Sequence, residues 1–147
     1  MKIKSLLVSL SLFLVVCNVA IEANNKTKYQ DSKPQTLPLK FKPGTSSVTV
    51  TGSVKGYNIK DYKFRASGGQ AIKIKLTSKN TFCYFNVLPA ENQSTGEALA
   101  GDPRPAGVTE WQGNLPKDGE YIIRVYLVRA EARRKGVADY SLNVEIK

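Results

Sequence analysis

The sequence predicts an all-β fold: a single antiparallel β-sandwich of seven or eight strands, with a short helical turn between the last two. Three observations lead there. Apolar and polar residues alternate with period 2 through most of the chain after Pro38, as they must when a strand turns one face to a core and one to water. Turn residues punctuate that alternation about every 8–12 positions. The 147 residues suffice for one ordinary domain, and 41% of them are hydrophobic, enough to fill its core.

The elements follow in order. Leu39 to Lys42 reads as an edge strand. Val48, Val50 and Val54 alternate with Ser47, Thr49 and Ser53. Tyr62, Phe64 and Ala66 alternate with Lys63 and Arg65, and Ser67-Gly68-Gly69-Gln70 supplies a turn. Ile72, Ile74 and Leu76 then alternate with Lys73 and Lys75. Phe82 to Leu88 is apolar on both sides, as in a covered central strand. Pro89 to Val108 is rich in Gly, Pro, Ala and Glu, lacks periodicity and reads as a long loop. Thr109 to Leu115 carries the single tryptophan, Trp111. Tyr121, Ile123, Val125 and Leu127 alternate with Ile122, Arg124 and Tyr126. Arg129 to Lys135 consists of good helix formers, and Gly136 is placed to cap them. Tyr140, Leu142, Val144 and Ile146 form the last strand.

The N-terminus reads as a targeting segment. Lys2 and Lys4 precede an apolar run from Leu6 to Ala20, and a small residue, Ala20 or Ala23, closes it. That is the pattern of a signal peptide over residues 1–23, and the run is short of the roughly 20 residues that span a bilayer. Val15-Val16 stand before Cys17, where a lipoprotein would carry a small residue, which argues against a lipid anchor. Residues 24–38 are polar with two prolines and read as a flexible tether; the sandwich domain occupies 39–147. The expected destination is therefore outside the cytoplasm. Once Cys17 is removed, Cys83 stands alone in an oxidising compartment; it reads either as a small hydrophobe buried in a strand or as a reactive or intermolecular thiol. Monomer and dimer both remain open.

Composition excludes much chemistry. With no histidine there is no Ser-His or Cys-His nucleophile, no imidazole base and no His-containing zinc site. No phosphate-binding glycine loop, Ser-x-x-Lys or Cys-x-x-Cys motif is present, and no close acidic pair marks a glycosidase or a calcium site. No catalytic residue, metal or cofactor is expected, and a binding role follows by elimination. The chain carries 22 Lys+Arg against 12 Asp+Glu, a net +10. Without residues 1–23 it carries 20 against 11, a net +9.

Three features offer binding chemistry. Arg129 and Arg133, at i and i+4 of a helical turn, share one face and can each grip a carboxylate with two hydrogen bonds; alternatively Glu131 or Asp139 neutralises them. Tyr57, in Lys55-Gly56-Tyr57-Asn58, sits in a glycine-bounded turn and is either an exposed anchor or a plug on the core. Lys63, Arg65, Lys73 and Lys75 read as one basic patch on two consecutive strands, either an attractor for an anionic polymer or a solvated sheet face. Aromatic residues are not interleaved with that patch as base-stacking platforms, so nucleic acid is not an expected partner.

Several stretches carry a resemblance: Gly44-Thr45-Ser46-Ser47, Lys55-Gly56-Tyr57, Tyr62-Lys63-Phe64, Gly69-Gln70, Gly119-Glu120-Tyr121, Arg124-Val125, Arg129, Ala132-Arg133 and Tyr140 to Lys147. In these the chain resembles the periplasmic inhibitors of g-type lysozyme, which are similar in fold to the inhibitors of i-type lysozyme. The resemblance implies a β-sandwich without enzymatic activity, whose partner is a lysozyme, g-type first. It implies a docking site of Tyr57, Arg129 and Arg133. The family's turn Ser-Gly-x-Tyr is here Asp118-Gly119-Glu120-Tyr121. Asp118, Gly119 and Tyr121 are therefore expected as a supporting loop, with Asp118 departing from the pattern. Asp61-Tyr62-Lys63-Phe64 with Gly69-Gln70 and Gly119-Glu120-Tyr121 also resembles the accessory β-sandwich of secreted bacterial peptidases. That leaves a rival expectation, a module binding anionic polysaccharide or peptidoglycan through Lys63, Lys73 and Lys75.

Overall fold

Period-2 alternation becomes strands whose inward residues meet in one core. The computed structural model describes residues 33–99 and 105–147. The expected signal peptide and most of the expected tether lie outside the described residues. The strands are β1 (Gln35–Pro38), β2 (Ser47–Lys55), β3 (Lys60–Ala66), β4 (Ala71–Ser78), β5 (Cys83–Pro89), β6 (Ala106–Val108), β7 (Glu110–Asn114), β8 (Gly119–Leu127) and β9 (Val137–Ile146). One short helix, α1 (Arg129–Arg133), lies between β8 and β9. Among the described residues no helix is long and apolar enough to cross a membrane.

The strands form two facing sheets, one in the order β1-β3-β8-β5-β6 and the other β2-β9-β4-β7. All-β architecture and the helical turn between the last two strands are as the sequence predicts. Among the described residues the expected seven or eight strands become nine. Tyr62, Phe64, Phe85, Val87, Tyr121, Ile123 and Val125 of the first sheet pack against Ile72, Ile74, Leu76, Leu142 and Val144 of the second. Each such buried side chain contributes about 1.5–3 kcal/mol. Tyr62 and Tyr140 cross the core from opposite sheets and share a hydrogen bond between hydroxyls at 2.7 Å, so neither buried oxygen is left unsatisfied.

Four expectations need correction. The N-terminal edge strand is Gln35–Pro38, not Leu39 to Lys42, so the last residues expected in the tether are ordered sheet. It pairs parallel with β3, whereas the other strand pairings among the described residues are antiparallel. Pro38 is tolerated because an edge strand needs donors on one side only. Next, β3 and β4 are consecutive yet belong to different sheets, because the turn at residues 67–70 carries the chain across the core rather than closing a hairpin. Phe82 falls outside β5 and is 45% exposed, although the sequence places it in a covered strand. Finally, Pro89 to Val108 contains a 3-10 turn at Ala90–Asn92 and the short strand β6. Part of this segment lies over the outer face of the first sheet, where Gln93 meets Asp61 and Arg124.

Candidate functional site

The register of β2 against β9 builds the end of the sandwich where the candidate residues stand. Lys55 is opposite Val137, and the Gly56 amide continues the ladder by donating to the Gly136 carbonyl at 2.9 Å. Gly56 takes a φ of +56°, a left-handed turn that releases Tyr57 from the strand. Tyr57 is 38% exposed. The turn bearing Tyr57 is thereby tied to the chain just after α1, two segments about 80 residues apart in sequence.

Helix α1 itself is short and poorly endowed. Its N-cap, Val128, offers no side-chain hydrogen bond, and five residues are too few to be stable alone. Tertiary contacts hold it. Ala132 is buried in the core cluster. Glu131 accepts hydrogen bonds from Asn80 at 3.2 Å and from Arg134 at 2.9 Å. Two bonds close the C-terminus, from the Lys135 amide to the Ala132 carbonyl at 2.9 Å and from the Gly136 amide to the Glu131 carbonyl at 3.1 Å. This is a Schellman closure, and its left-handed residue is Lys135 (φ 59°), not the Gly136 that the sequence suggests. Gly136 leaves room for Glu131: a Cβ there would meet the Glu131 side chain and force it to shift.

Arg129 and Arg133 are the first and last residues of α1, and both are exposed. The ion pair that Glu131 forms, at 2.9 Å, is with Arg134. Four cations, Arg129, Arg133, Arg134 and Lys135, thus share seven residues with one carboxylate. Like charges at i and i+4 destabilise a helix by a few tenths of a kcal/mol. This end of the sandwich is thus rich in cationic side chains, the chemistry that suits a carboxylate-bearing partner. Phe82 and Val137 (50% exposed) border the same helix.

The expected supporting loop is not beside it. Gly119 begins β8 and Leu127 ends it, so Asp118, Gly119 and Tyr121 stand at the far end of the sandwich, roughly 25 Å away along the strand. Asp118 accepts the Gly68 amide at 2.7 Å, and the Tyr121 hydroxyl donates to the Lys117 carbonyl at 2.6 Å. The expected basic patch is also divided. Lys63 and Arg65 lie in the first sheet, Lys73 and Lys75 in the second. Lys63 pairs with Glu120 at 2.8 Å and Lys73 with Glu110 at 3.8 Å. Cys83 is buried, and burial pushes its thiol up to about 11. Among the described residues no group of three or more His, Cys, Asp or Glu side chains is placed to hold a metal ion.

No family model matches the chain. It is 25% identical over 147 residues, the whole of both chains, to an inhibitor of g-type lysozyme from Escherichia coli (strain K12). The crystal structure of Salmonella Typhimurium PliG, a periplasmic inhibitor of g-type lysozyme, is 27% identical, covers 77% of this chain and 98% of its own, and superposes with a TM-score of 0.56. That of Aeromonas hydrophila PliG, also a periplasmic inhibitor of g-type lysozyme, is 36% identical with a TM-score of 0.70, over 78% of this chain and 98% of the other. A likeness of that degree across nearly all of the Aeromonas protein means that this chain belongs to the family of periplasmic inhibitors of g-type lysozyme.

Proposed function

We propose that the chain inhibits g-type lysozyme by seating the α1 end of the sandwich, with Tyr57, Arg129 and Arg133, in the enzyme's sugar-binding cleft, and so protects bacterial peptidoglycan. One observation carries the reading. A five-residue helix with no capping side chain and two arginines at i and i+4 is locally unfavourable, yet the fold pins it down on both sides and ties Tyr57 to it. Local rules broken at one place and compensated by tertiary contacts mark a site kept for function.

The chemistry follows from what hydrolysis needs. Glycoside cleavage requires a carboxylic acid whose pKa is raised so that it can donate a proton. A guanidinium beside that acid favours the ionised form and lowers the pKa. The same side chains occupy the space of the glycan. Inhibition then combines exclusion of substrate with loss of the general acid.

Charge complementarity is local rather than global. At +9 without residues 1–23, the chain would gain nothing from long-range steering toward any enzyme of net positive charge. Affinity rests on contacts in the cleft, so added salt leaves it nearly unchanged. A polysaccharide partner, gripped by lysines, would give the opposite result. That second reading is weakened because Lys63 and Lys73 belong to different sheets and each already has a carboxylate partner.

The test is lysis of cell walls by g-, i- and c-type lysozymes in the presence of the protein, then of its Arg129→Ala/Arg133→Ala and Lys73→Ala/Lys75→Ala variants. Inhibition of the g-type enzyme that depends on the arginine pair and survives loss of the lysine pair is the expected result. Inhibition that survives loss of the arginines but needs the lysines would end the cleft model.

A further inference from the structure

We infer that Phe82 and Val137 are apolar anchors of the same docking surface, gripping the walls of the lysozyme cleft on either side of the arginine helix; this rests on the inhibitory reading above. The three large apolar side chains that the described residues leave exposed are Tyr57, Phe82 and Val137. They are not scattered over the sandwich. All three border α1. The Phe82 carbonyl accepts the Val128 amide at 3.1 Å, which sets Phe82 beside the start of the helix. Val137 follows the helix by four residues and lies opposite Lys55 in the β2–β9 ladder, two residues before Tyr57. Asn80 fastens the two sides together, donating to the Val137 carbonyl at 3.1 Å and to Glu131 at 3.2 Å.

Each of these side chains stands where a polar residue would be the cheaper choice. Phe82 follows the polar segment Ser78-Lys79-Asn80-Thr81, and Val137 stands on the solvent side of β9, in line with Asp139, Ser141 and Asn143. Isolated exposed apolar residues are ordinary. A ring of them around a cationic element has the anatomy of an interface, with apolar anchors excluding water from the charged contacts they flank. The occupant follows from that mixture. A cleft that binds glycan chains and works with carboxylates offers apolar walls and an acidic floor, the complement of this surface. The anchors also supply affinity that does not depend on opposite net charges of the two partners, because apolar burial is insensitive to net charge.

The experiment is calorimetric titration of g-type lysozyme with the full-length protein and with Phe82→Ser, Val137→Thr and Arg129→Ala/Arg133→Ala. Melting temperatures are measured alongside. Phe82→Ser is expected to weaken binding about tenfold or more, with little change in melting temperature because the ring is nearly half exposed. Val137→Thr, which keeps the side chain's shape, should weaken it less. Wild-type hydrogen exchange gives a readout that needs no variant: amides 79–83 and 136–138 should gain protection on adding the enzyme. If the arginine variant loses binding while Phe82→Ser and Val137→Thr bind as wild type and those amides gain no protection, the anchors are refuted and the inhibitory reading stands. If none of the variants alters binding and no protection appears, both fall.

Discussion

Asp61 and Arg124 face each other across β3 and β8 and are joined by two hydrogen bonds of 2.8 Å, on the side of the sheet that points away from the core. Asp61 is fully buried and Arg124 is 9% exposed. Gln93 completes the arrangement. Its carbonyl accepts from Arg124 at 2.7 Å, and its side-chain amide donates to Asp61 at 3.1 Å and to the Thr36 hydroxyl at 2.8 Å. A charge pair thus holds the segment after Pro89 over the sheet and reaches the edge strand β1.

The first prediction concerns this pair. Removing one partner leaves the other charge buried and uncompensated, so Asp61→Ala or Arg124→Ala should each lose about 3–5 kcal/mol of stability in urea unfolding. Replacing both, as Asp61→Leu with Arg124→Met, should be less damaging than either single change, since no orphan charge remains. If the two single losses simply add in the double variant, the pair is not coupled and the account is wrong.

The second prediction separates the two ends of the sandwich. Asp118 caps the Gly68 amide about 25 Å from α1 along β8. Asp118→Ala should cost about 1 kcal/mol of stability and leave inhibition of g-type lysozyme unaltered. A fall in inhibition without a fall in stability would restore the supporting-loop role that the sequence suggested.

Much of this is legible in the sequence. Period-2 alternation locates the strands because each needs one dry face. The i, i+4 spacing of Arg129 and Arg133 locates the helix face because helix geometry is local. What alternation cannot reveal is which strand lies beside which. It therefore merged Lys63 and Arg65 with Lys73 and Lys75 into a patch that two sheets divide. It also cannot see a cover. Asp61 and Arg124 sit at outward positions, and a segment some 30 residues away in sequence from either makes them buried. The pairing of Tyr57 with α1 depends on the β2–β9 register, a non-local fact. Phe82 was hidden by continuity, being the first residue of an apolar run whose later members are strand.

The third prediction follows from the helix end. Lys135 is held at φ 59°, a conformation that costs a β-carbon-bearing residue about 1 kcal/mol relative to glycine. Lys135→Gly should therefore stabilise the protein by about that amount, raising the melting temperature by a few degrees. Gly136→Ala should do the reverse, because the added methyl meets Glu131 and displaces the carboxylate from Asn80 and Arg134. Equal stability of both variants with wild type would refute the assigned closure.

The fourth prediction is a pH dependence. Burial raises the Cys83 thiol from 9.0 to about 11, because the strand gives a thiolate no solvation. In the unfolded chain the thiol ionises near pH 9, while in the folded chain it stays protonated until about pH 11. Between those values the unfolded state binds fewer protons, so stability falls as pH rises. The contribution is intact below pH 9 and declines across the window to pH 11, by about 2–3 kcal/mol for a shift of that size. Tyr140 adds a fall in the same direction, since burial and its bond to Tyr62 raise its phenol as well. Cys83→Val removes the thiol's share alone. Urea midpoints at pH 8 and pH 10.5 should thus converge more closely in Cys83→Val than in wild type. The same burial keeps the native thiol slow to alkylate at pH 8, so its labelling should follow unfolding. An identical pH slope in both proteins would show that the thiol ionises as readily in the fold as in the open chain.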